Sequence, residues 1–289
     1  MGMVSIPVHV APPSYGGDST FPIYYAKATD SNYAISCSTS YTGHVCSSWN
    51  PSTINVPDGA SGSCTRDHHA ILIEPDGREY EFGHFNNGRA WIGDCTPISG
   101  GGTLYVGHNG ICTITAFANG GVCKGSGVAS GMPVIDTLLN PQELLEGAVT
   151  HELSAAGNCP SNTWQWPAHQ SDGKCPGVGI PEGGIVWLDL SFAQIDSLPG
   201  HYNWDRTILR YLHKYGLRIV DSTKKNPNVP WSYYSYDDKS ATAPLWTSWF
   251  TEVSKECPTC KIRWGRGASH LWLPTAGLTQ SNFHVLAPP

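Results

Sequence analysis

Short apolar runs separated by turn residues dominate the chain, and this pattern predicts many short β-strands. Alternating or β-branched residues mark the strands, while Gly, Pro, Asn and Asp mark the turns between them. The predicted strands cover residues 23–27, 33–37, 67–74, 78–84, 148–155, 184–190 and 217–221.

One predicted hairpin carries a cluster of ionisable side chains. Glu74-Pro-Asp-Gly77 is typical of a three-residue loop in which a type I turn is followed by a left-handed glycine, forming a bulge. The bulge sets the strand pairing and therefore the face on which each side chain lies. We expect an apolar face with Ala70, Leu72, Tyr80 and Phe82, and a second face with Asp67, His69, Ile71, Glu79 and Glu81.

Helices are few in the predicted pattern. Asn140-Pro-Gln-Glu143 predicts a capped short helix that ends at Gly147, and amphipathic spacing predicts helices over 205–215 and 244–254. No strand–helix alternation persists along the chain. We therefore expect a mainly β fold, a two-sheet sandwich or jelly roll with a few short packing helices. Residues 1–289 form one domain in this prediction, with an irregular N-terminal segment (1–60) packed on the sandwich.

Composition supports this fold and excludes two classes of partner. Charged residues make up only 14%, and the 32 Gly and 22 Pro residues suit many turns. The net charge is −6, and no basic run exceeds Lys224-Lys225, so we expect no nucleic-acid partner. No apolar run approaches about 18 residues, so we expect no membrane partner either.

Ten dispersed cysteines predict a disulfide-stapled protein from an oxidising compartment. The alternative is a zinc site, but Cys257 and Cys260 form the only C-x₂-C pair, with no second pair or H-x₃₋₅-H after it. The start MGMVSIPVHV lacks a signal-peptide pattern. We nevertheless expect a secreted protein whose leader is missing from this sequence.

The polar face of the hairpin suggests carboxylate chemistry. A glycosidase needs two carboxyl groups flanking the scissile bond, and Asp67 and Glu81 could provide them, with His69 tuning their protonation. The alternative is a solvated strand face with a surface ion pair. A metal held by His68, His69, His84 and Asp67 is not favoured, because adjacent residues on a strand point to opposite faces. We expect no cofactor.

Further candidates lie outside the hairpin. His151 is either a cleft residue or a core-edge histidine bonded to a backbone carbonyl, and His169 follows two tryptophans in a Pro-containing loop. The chain has 11 Trp and 13 Tyr against 7 Phe, a bias toward rings that can stack on sugars and also form hydrogen bonds. The alternative is that these rings pack loops against the sandwich. The predicted substrate-binding rings are Trp91, Trp164, Trp166, Trp231 and Tyr234.

The order of several short motifs resembles a group of secreted bacterial proteins that is common in soil organisms. The shared pattern is D-x-H, Y-E, G-x-x-x-H, P-A-H and Y-G, found here between Asp67 and Asp221. The resemblance implies one extracellular domain and supplies no reaction. The functional set that it implies is Asp67, His69, Glu81, His151 and His169.

From these patterns we predict a secreted, monomeric, endo-acting glycoside hydrolase that acts on a plant or microbial polysaccharide such as a β-glucan. We expect its carboxylate pair to lie in an open, aromatic-lined groove on the polar face of the hairpin. The predicted catalytic residues are Asp67, His69, Glu81, His151 and His169. A polysaccharide lyase is the first alternative, and it would use a cleft made basic by Arg66, Arg78 and Arg89. A non-catalytic carbohydrate-binding or surface protein is the second.

Overall fold

The protein is described by a computed structural model that covers residues 7–10, 20–37, 52–63, 67–86, 96–113, 127–148, 150–223, 231–237, 245–258, 263–265, 268–272 and 276–286. Its strands are β1 (Pro7–Val10), β2 (Thr20–Phe21), β3 (Ile23–Tyr25), β4 (Ser31–Cys37), β5 (Thr53–Val56), β6 (Ala70–Ile73), β7 (Arg78–Gly83), β8 (Gly102–Val106), β9 (His108–Thr113), β10 (Leu153–Gly157), β11 (Ile185–Leu188), β12 (Leu217–Ser222), β13 (Trp231–Tyr233), β14 (Ser235–Tyr236), β15 (Arg263–Gly265), β16 (Ala268–Trp272) and β17 (Phe283–Val285). The helices are α1 (Pro141–Glu146), α2 (Phe192–Ser197), α3 (Asn203–Lys214) and α4 (Leu245–Glu256).

The described strands form five sheets, ordered β1-β16-β15, β13-β10-β12-β11-β17, β14-β2, β3-β6-β7-β9 and β5-β4-β8. The mainly β prediction is confirmed, whereas a jelly roll is not. Four of the sheets contain a parallel pair, namely β10 with β12, β14 with β2, β3 with β6 and β4 with β8. Parallel pairs need crossover connections, which the antiparallel hairpins of a jelly roll do not provide. Within residues 1–60, strands β1 to β5 each pair into one of these sheets.

The bulged turn between β6 and β7 is confirmed. The Glu74 N–H donates to the Arg78 carbonyl at 2.8 Å, and the Gly77 N–H donates to the Glu74 carbonyl at 2.9 Å. Gly77 has φ +83°, a left-handed conformation that glycine adopts without a steric penalty. Ile71 therefore pairs with Glu81 and Ala70 with Phe82, as the turn predicted.

The polar face of this hairpin is covered, contrary to the expectation of an open groove. The apolar face packs into one core with β4, β5 and β8. The opposite face, which carries Ile71 and Ile73, packs into a second core. Its other members include residues from 127–138 and, from the ends of β10 and β12, Ala156 and Val220. Apolar burial of about 25 cal/mol per Å² therefore favours closing this face against the five-stranded sheet.

The helices support the five-stranded sheet. Asn140 caps α1, its side chain accepting from the Gln142 N–H at 2.9 Å, and Gly147 ends the helix in the left-handed conformation, as predicted. Ile208 and Leu212 of α3 are buried in the core formed with β10, β11 and β12. Helix α2, which the sequence analysis missed, begins with a capping box between Ser191 and Gln194.

Disulfide stapling is confirmed for one pair, Cys159 and Cys175, which closes a loop on the edge of this sheet. Cys257 is also disulfide-bonded, and no cysteine in the described part of the chain is free. No helix within the described ranges is both long and apolar enough to cross a membrane.

A buried histidine joins the start of α3 to the C-terminal region. The His201 ring lies 2.6 Å from Asp205 through Nδ1 and 2.9 Å from the Ala276 carbonyl through Nε2. Both partners are acceptors, so the ring must donate from both nitrogens and carry a charge. Burial opposes that charge, but the bonds to Asp205 and Ala276 outweigh it and raise the pKa of His201.

We predict that His201→Gln destabilises the fold most at low pH. Because the folded pKa is raised, the stabilisation by His201 is complete below the ordinary pKa of about 6.5 and is lost as pH rises through the folded pKa. The loss at pH 5.5 should be about 2–3 kcal/mol, since two charge-assisted bonds disappear. Denaturant unfolding at pH 5.5 and 9 measures it. His284→Gln, in an exposed pair with Asp189, is the matched control, and an equal loss at both pH values would contradict the assignment.

Candidate active site

The site lies at the carboxyl ends of the parallel strands β10 and β12. Asp221 is the second-last residue of β12; its Oδ2 accepts a 2.7 Å hydrogen bond from the Tyr234 hydroxyl, and its Oδ1 accepts one from the Ser222 N–H. A register irregularity between Ala155 and Ala156 of β10 occurs beside this end of β12. Such edges, where parallel strands terminate, bring side chains from different elements together.

Two more carboxyl groups reach Asp221 from the loop that the disulfide closes and from the segment after it. Glu182 is completely buried, and Asp172 is partly exposed. The two side chains lie close enough to interact with each other. Neither Glu182 oxygen has a hydrogen bond of ordinary geometry to a protein donor. Two carboxyl groups that share a site away from water favour a state in which one of them carries a proton.

Burial and mutual repulsion raise the pKa values in this cluster. Burial, followed by the charges of Asp172 and Asp67, raises the pKa of Asp221 to about 7, although the Tyr234 and Ser222 hydrogen bonds act against the rise. Burial, followed by the charges of Asp221 and Asp172, raises the pKa of Glu182 to about 10. At neutral pH the cluster therefore contains both protonated and ionised carboxyl groups.

Exposed aromatic rings lie next to Glu182 along the backbone. Trp164 is 52% exposed and Trp166 is 58% exposed, which is unusual for such large apolar side chains. Trp164 forms a parallel bridge with Glu182, and the Gln165 N–H donates to the Glu182 carbonyl at 2.8 Å. Gly183 has φ +86°, and a Cβ there would lie 1.8 Å from the Gln165 carbonyl oxygen, so this contact requires glycine. The tryptophan loop is thus fixed against the carboxyl cluster.

Three predicted site residues surround Asp221. Asp67 is partly exposed and interacts electrostatically with Asp221 and Tyr234. The His69 ring stacks on Phe21 with centroids 4.3 Å apart and meets the Tyr234 ring edge-on at 6.2 Å. His69 is only 2% exposed, so it supports Tyr234 from beneath rather than facing a substrate.

His169 is held by a glycine-containing turn beside the end of β12. Its N–H donates to the Ser130 carbonyl at 3.1 Å, and the Ser130 N–H donates to Val220, the residue before Asp221, at 2.9 Å. A Cβ on Gly131 would lie 2.7 Å from the His169 ring, so the ring packs directly on that backbone. The partly exposed His169 therefore lies close to the cluster, as the sequence pattern suggested.

Glu81 does not occupy the open position that the sequence analysis gave it. It is 1% exposed, and its carboxyl oxygens accept from the backbone N–H groups of Val134 at 2.5 Å, Ile135 at 3.3 Å and Gly127 at 3.4 Å. A buried carboxylate with these partners secures residues 127–135 and cannot meet a polysaccharide.

His151 lies apart from the carboxyl cluster. Its Nδ1 contacts the Glu152 carbonyl at 2.7 Å, and its Nε2 contacts Glu143 Oε2 at 3.0 Å. Burial lowers the pKa of His151, but these bonds and the nearby Asp136 raise it overall. Its partners join α1 to the start of β10, which favours the interpretation as a histidine bonded to a backbone carbonyl.

The remaining predicted aromatic residues have different outcomes in the structure. Tyr234 is 2% exposed, so it is corrected from a substrate platform to a partner of Asp221, because its ring is enclosed by Phe21 and His69. Trp231 pairs through its backbone with Gly157 at the end of β10. Trp91 lies outside the described residues.

Comparison of the sequence with protein-family models, with curated proteins and with solved structures gives no match. Among the side chains that the structure describes, no group of three or more His, Cys, Asp or Glu residues is arranged to hold a metal ion.

A second carboxyl pair, sealed in the core, offers a matched comparison. Glu79 is 2% exposed and contacts Glu81, and burial followed by the charge of Glu81 raises its pKa to about 10. Between its ordinary pKa and about 10, the folded state therefore holds a proton that the unfolded state has released. The contribution of Glu79 to stability falls as pH rises through this window.

We predict that Glu79→Gln stabilises the protein above pH 7, by about 1–3 kcal/mol at pH 8, because the amide needs no proton to remain neutral. The gain should shrink toward zero near pH 4. Thermal unfolding across pH 4–9 measures it. A variant that is less stable than the parent at pH 8 would show that the Glu79 proton is not required.

Proposed function

We propose that the protein is a secreted carbohydrate-active enzyme, an endo-acting glycoside hydrolase of plant or microbial polysaccharide, with Asp221 as its general acid. The observation that carries the proposal is the set of carboxyl groups Asp67, Asp172, Glu182 and Asp221, in which Asp221 has a pKa of about 7. A general acid needs a pKa near the operating pH and a second carboxylate beside it, and this cluster supplies both.

Each group has a distinct role in the proposal. Asp221 protonates the leaving oxygen, and the partly exposed Asp67 is the accompanying carboxylate, which either activates water or attacks the anomeric carbon of the sugar. Glu182 holds its proton beside them, and Asp172 adds to the local negative charge. Tyr234 orients Asp221 by its 2.7 Å hydrogen bond.

The tryptophan loop supports a sugar polymer as substrate. Trp164 and Trp166 present more than half of their surface to solvent, and they are two positions apart on a loop anchored to Glu182. Flat C–H faces of sugar rings bury apolar area on such rings. Two platforms beside a carboxyl cluster suit a chain of several units and therefore internal cleavage.

A lyase is less well supported. β-Elimination from a uronate needs a positive group to neutralise its carboxylate, whereas the cluster is acidic. Arg218, on the same strand as Asp221, is bound by Glu152 and by the Gly183 carbonyl. Arg78 is paired with Glu74 and Asp76, and Arg66 and Arg89 lie outside the described residues.

We propose that the protein acts outside the cell as a monomer. The disulfide between Cys159 and Cys175 supports an oxidising location, because bonds of this kind rarely persist in a reducing cytosol. A monomer suits an enzyme that must reach an insoluble or very long substrate.

We predict that Asp221→Asn lowers kcat on the cleaved polysaccharide by about 10²- to 10⁴-fold, because the general acid is lost. The melting temperature should not fall, since one source of carboxyl repulsion disappears. Reducing-end release and thermal unfolding measure the two effects. Retention of full activity would remove Asp221 from the mechanism.

We predict that Tyr234→Phe shifts the basic limb of the pH–activity profile to higher pH. The hydrogen bond from the Tyr234 hydroxyl lowers the pKa of Asp221. Without this bond the pKa rises, and Asp221 stays protonated to higher pH. Tyr233→Phe is the matched control, because the buried Tyr233 hydroxyl has no hydrogen-bond partner. Profiles of kcat/KM for both variants give the test, and an unmoved limb in Tyr234→Phe would separate Tyr234 from Asp221.

A further inference from the structure

The carboxyl cluster has an electrostatic imbalance that its hydrogen bonds do not remove. Asp172, Glu182 and Asp221 repel one another, and no Lys or Arg forms an ion pair with any of these three within the described ranges. Glu182 is fully buried, and both of its carboxyl oxygens lack a hydrogen bond of ordinary geometry. A buried polar group in this state is costly, and a cation held by its partly exposed neighbours Asp172 and Asp221 would offset that cost.

We propose that the site takes a cationic glycan, a polymer whose sugar units carry a free amine, and that the carboxyl cluster receives the ammonium group. This inference rests on the proposed function, because it assigns the substrate class of the same site. An ammonium group offers three donors and a full positive charge, so it can bridge several carboxyl oxygens at once.

The aromatic rings make an amino sugar a better match than a simple cation. Trp164 pairs with Glu182 through the backbone, and Trp164 and Trp166 are each more than half exposed. A ring face attracts both the C–H surface of a sugar and a nearby ammonium. A ligand that joins a flat sugar ring to an amine can thus stack on the tryptophans and form ion pairs with the carboxyl groups at the same time.

Two other substrate classes fit the cluster less well. A polyuronate would bring further negative charge to groups that already repel one another. A neutral glucan would stack on the tryptophans but leave the carboxyl charge uncompensated. The site should therefore distinguish glycans by the charge on the sugar nitrogen more than by the length of the chain.

The direct test compares one polymer with and without its charge. The first two substrates are almost fully deacetylated chitosan and the same chitosan after chemical N-acetylation, which differ in the ammonium group. β-Glucan serves as the neutral polymer and polygalacturonate as the anionic one. We expect reducing ends to form at least tenfold faster from the deacetylated polymer, with a preference that weakens as salt screens the charge. Equal rates on chitosan, its acetylated form and β-glucan would overturn the cationic substrate while leaving the hydrolase intact.

A binding measurement separates this inference from the proposed function. Titration calorimetry with glucosamine oligomers should show binding at least tenfold tighter than with N-acetylated oligomers, with protons released to the buffer. Preference for the amine without any hydrolysis would retain the cationic ligand and refute the hydrolase. No preference in binding would refute the inference, whatever the activity.

A pair of variants locates the preference. Asp172→Asn should reduce the preference for the free amine several-fold in the same titration. Glu79→Gln, which alters the sealed carboxyl pair, should leave it unchanged. An equal effect of both variants, or an undiminished preference in a folded Asp172→Asn protein, would place amine recognition elsewhere.

Discussion

Carboxyl groups that are brought together away from water repel one another. The folded protein must therefore either keep some of them protonated or hold their charges with hydrogen-bond donors. This protein does so twice. In the core, Glu79 keeps a proton beside Glu81, whose oxygens accept backbone N–H groups. At the end of β12, Glu182 keeps a proton beside Asp172, and the charge of Asp172 adds to burial in raising the pKa of Asp221. The first pair is enclosed, whereas the second lies beside partly exposed side chains.

The two pairs are connected through one stretch of backbone. Glu81 fixes residues 127–135, and the Ser130 carbonyl and N–H in that stretch bond to His169 and Val220. Because Val220 precedes Asp221, the interior carboxylate helps to set the geometry of the outer cluster. A strand position that looks like a surface acid in the sequence thus acts as an anchor for the site.

Local features of the fold could be predicted because their causes are local. The bulged turn at Gly77 and the Asn140 cap depend on a few adjacent residues, and both occur as expected. The parallel pairing of β10 with β12 could not be predicted, because it joins segments about 60 residues apart. Helix α2 was missed although Ser191 and Gln194 carry a capping-box signal.

The site was predicted only in part for the same reason. Asp67, His69, His169 and Tyr234 were named from short motifs and aromatic bias, and they do gather near Asp221. Asp172 and Glu182 were missed, because they lie in Gly- and Pro-rich segments without periodicity. Asp221 lies near the end of an apolar strand. This position would have indicated a site residue only if the parallel pairing of that strand had been predicted. Glu81 was wrongly predicted to be open to substrate. Strand alternation predicts the face on which a side chain lies, but it does not predict which other segments cover that face.

The disulfide between Cys159 and Cys175 encloses both tryptophans, His169 and Asp172 within one covalent loop. Closing that loop reduces the conformational entropy of the unfolded chain by about 3 kcal/mol in the loop-entropy account. The stacking surface and one member of the acid cluster are therefore constrained by the same bond. Assembly of this region is in this way coupled to thiol oxidation, so a reduced chain would hold the two tryptophans and Asp172 less firmly than the oxidised one.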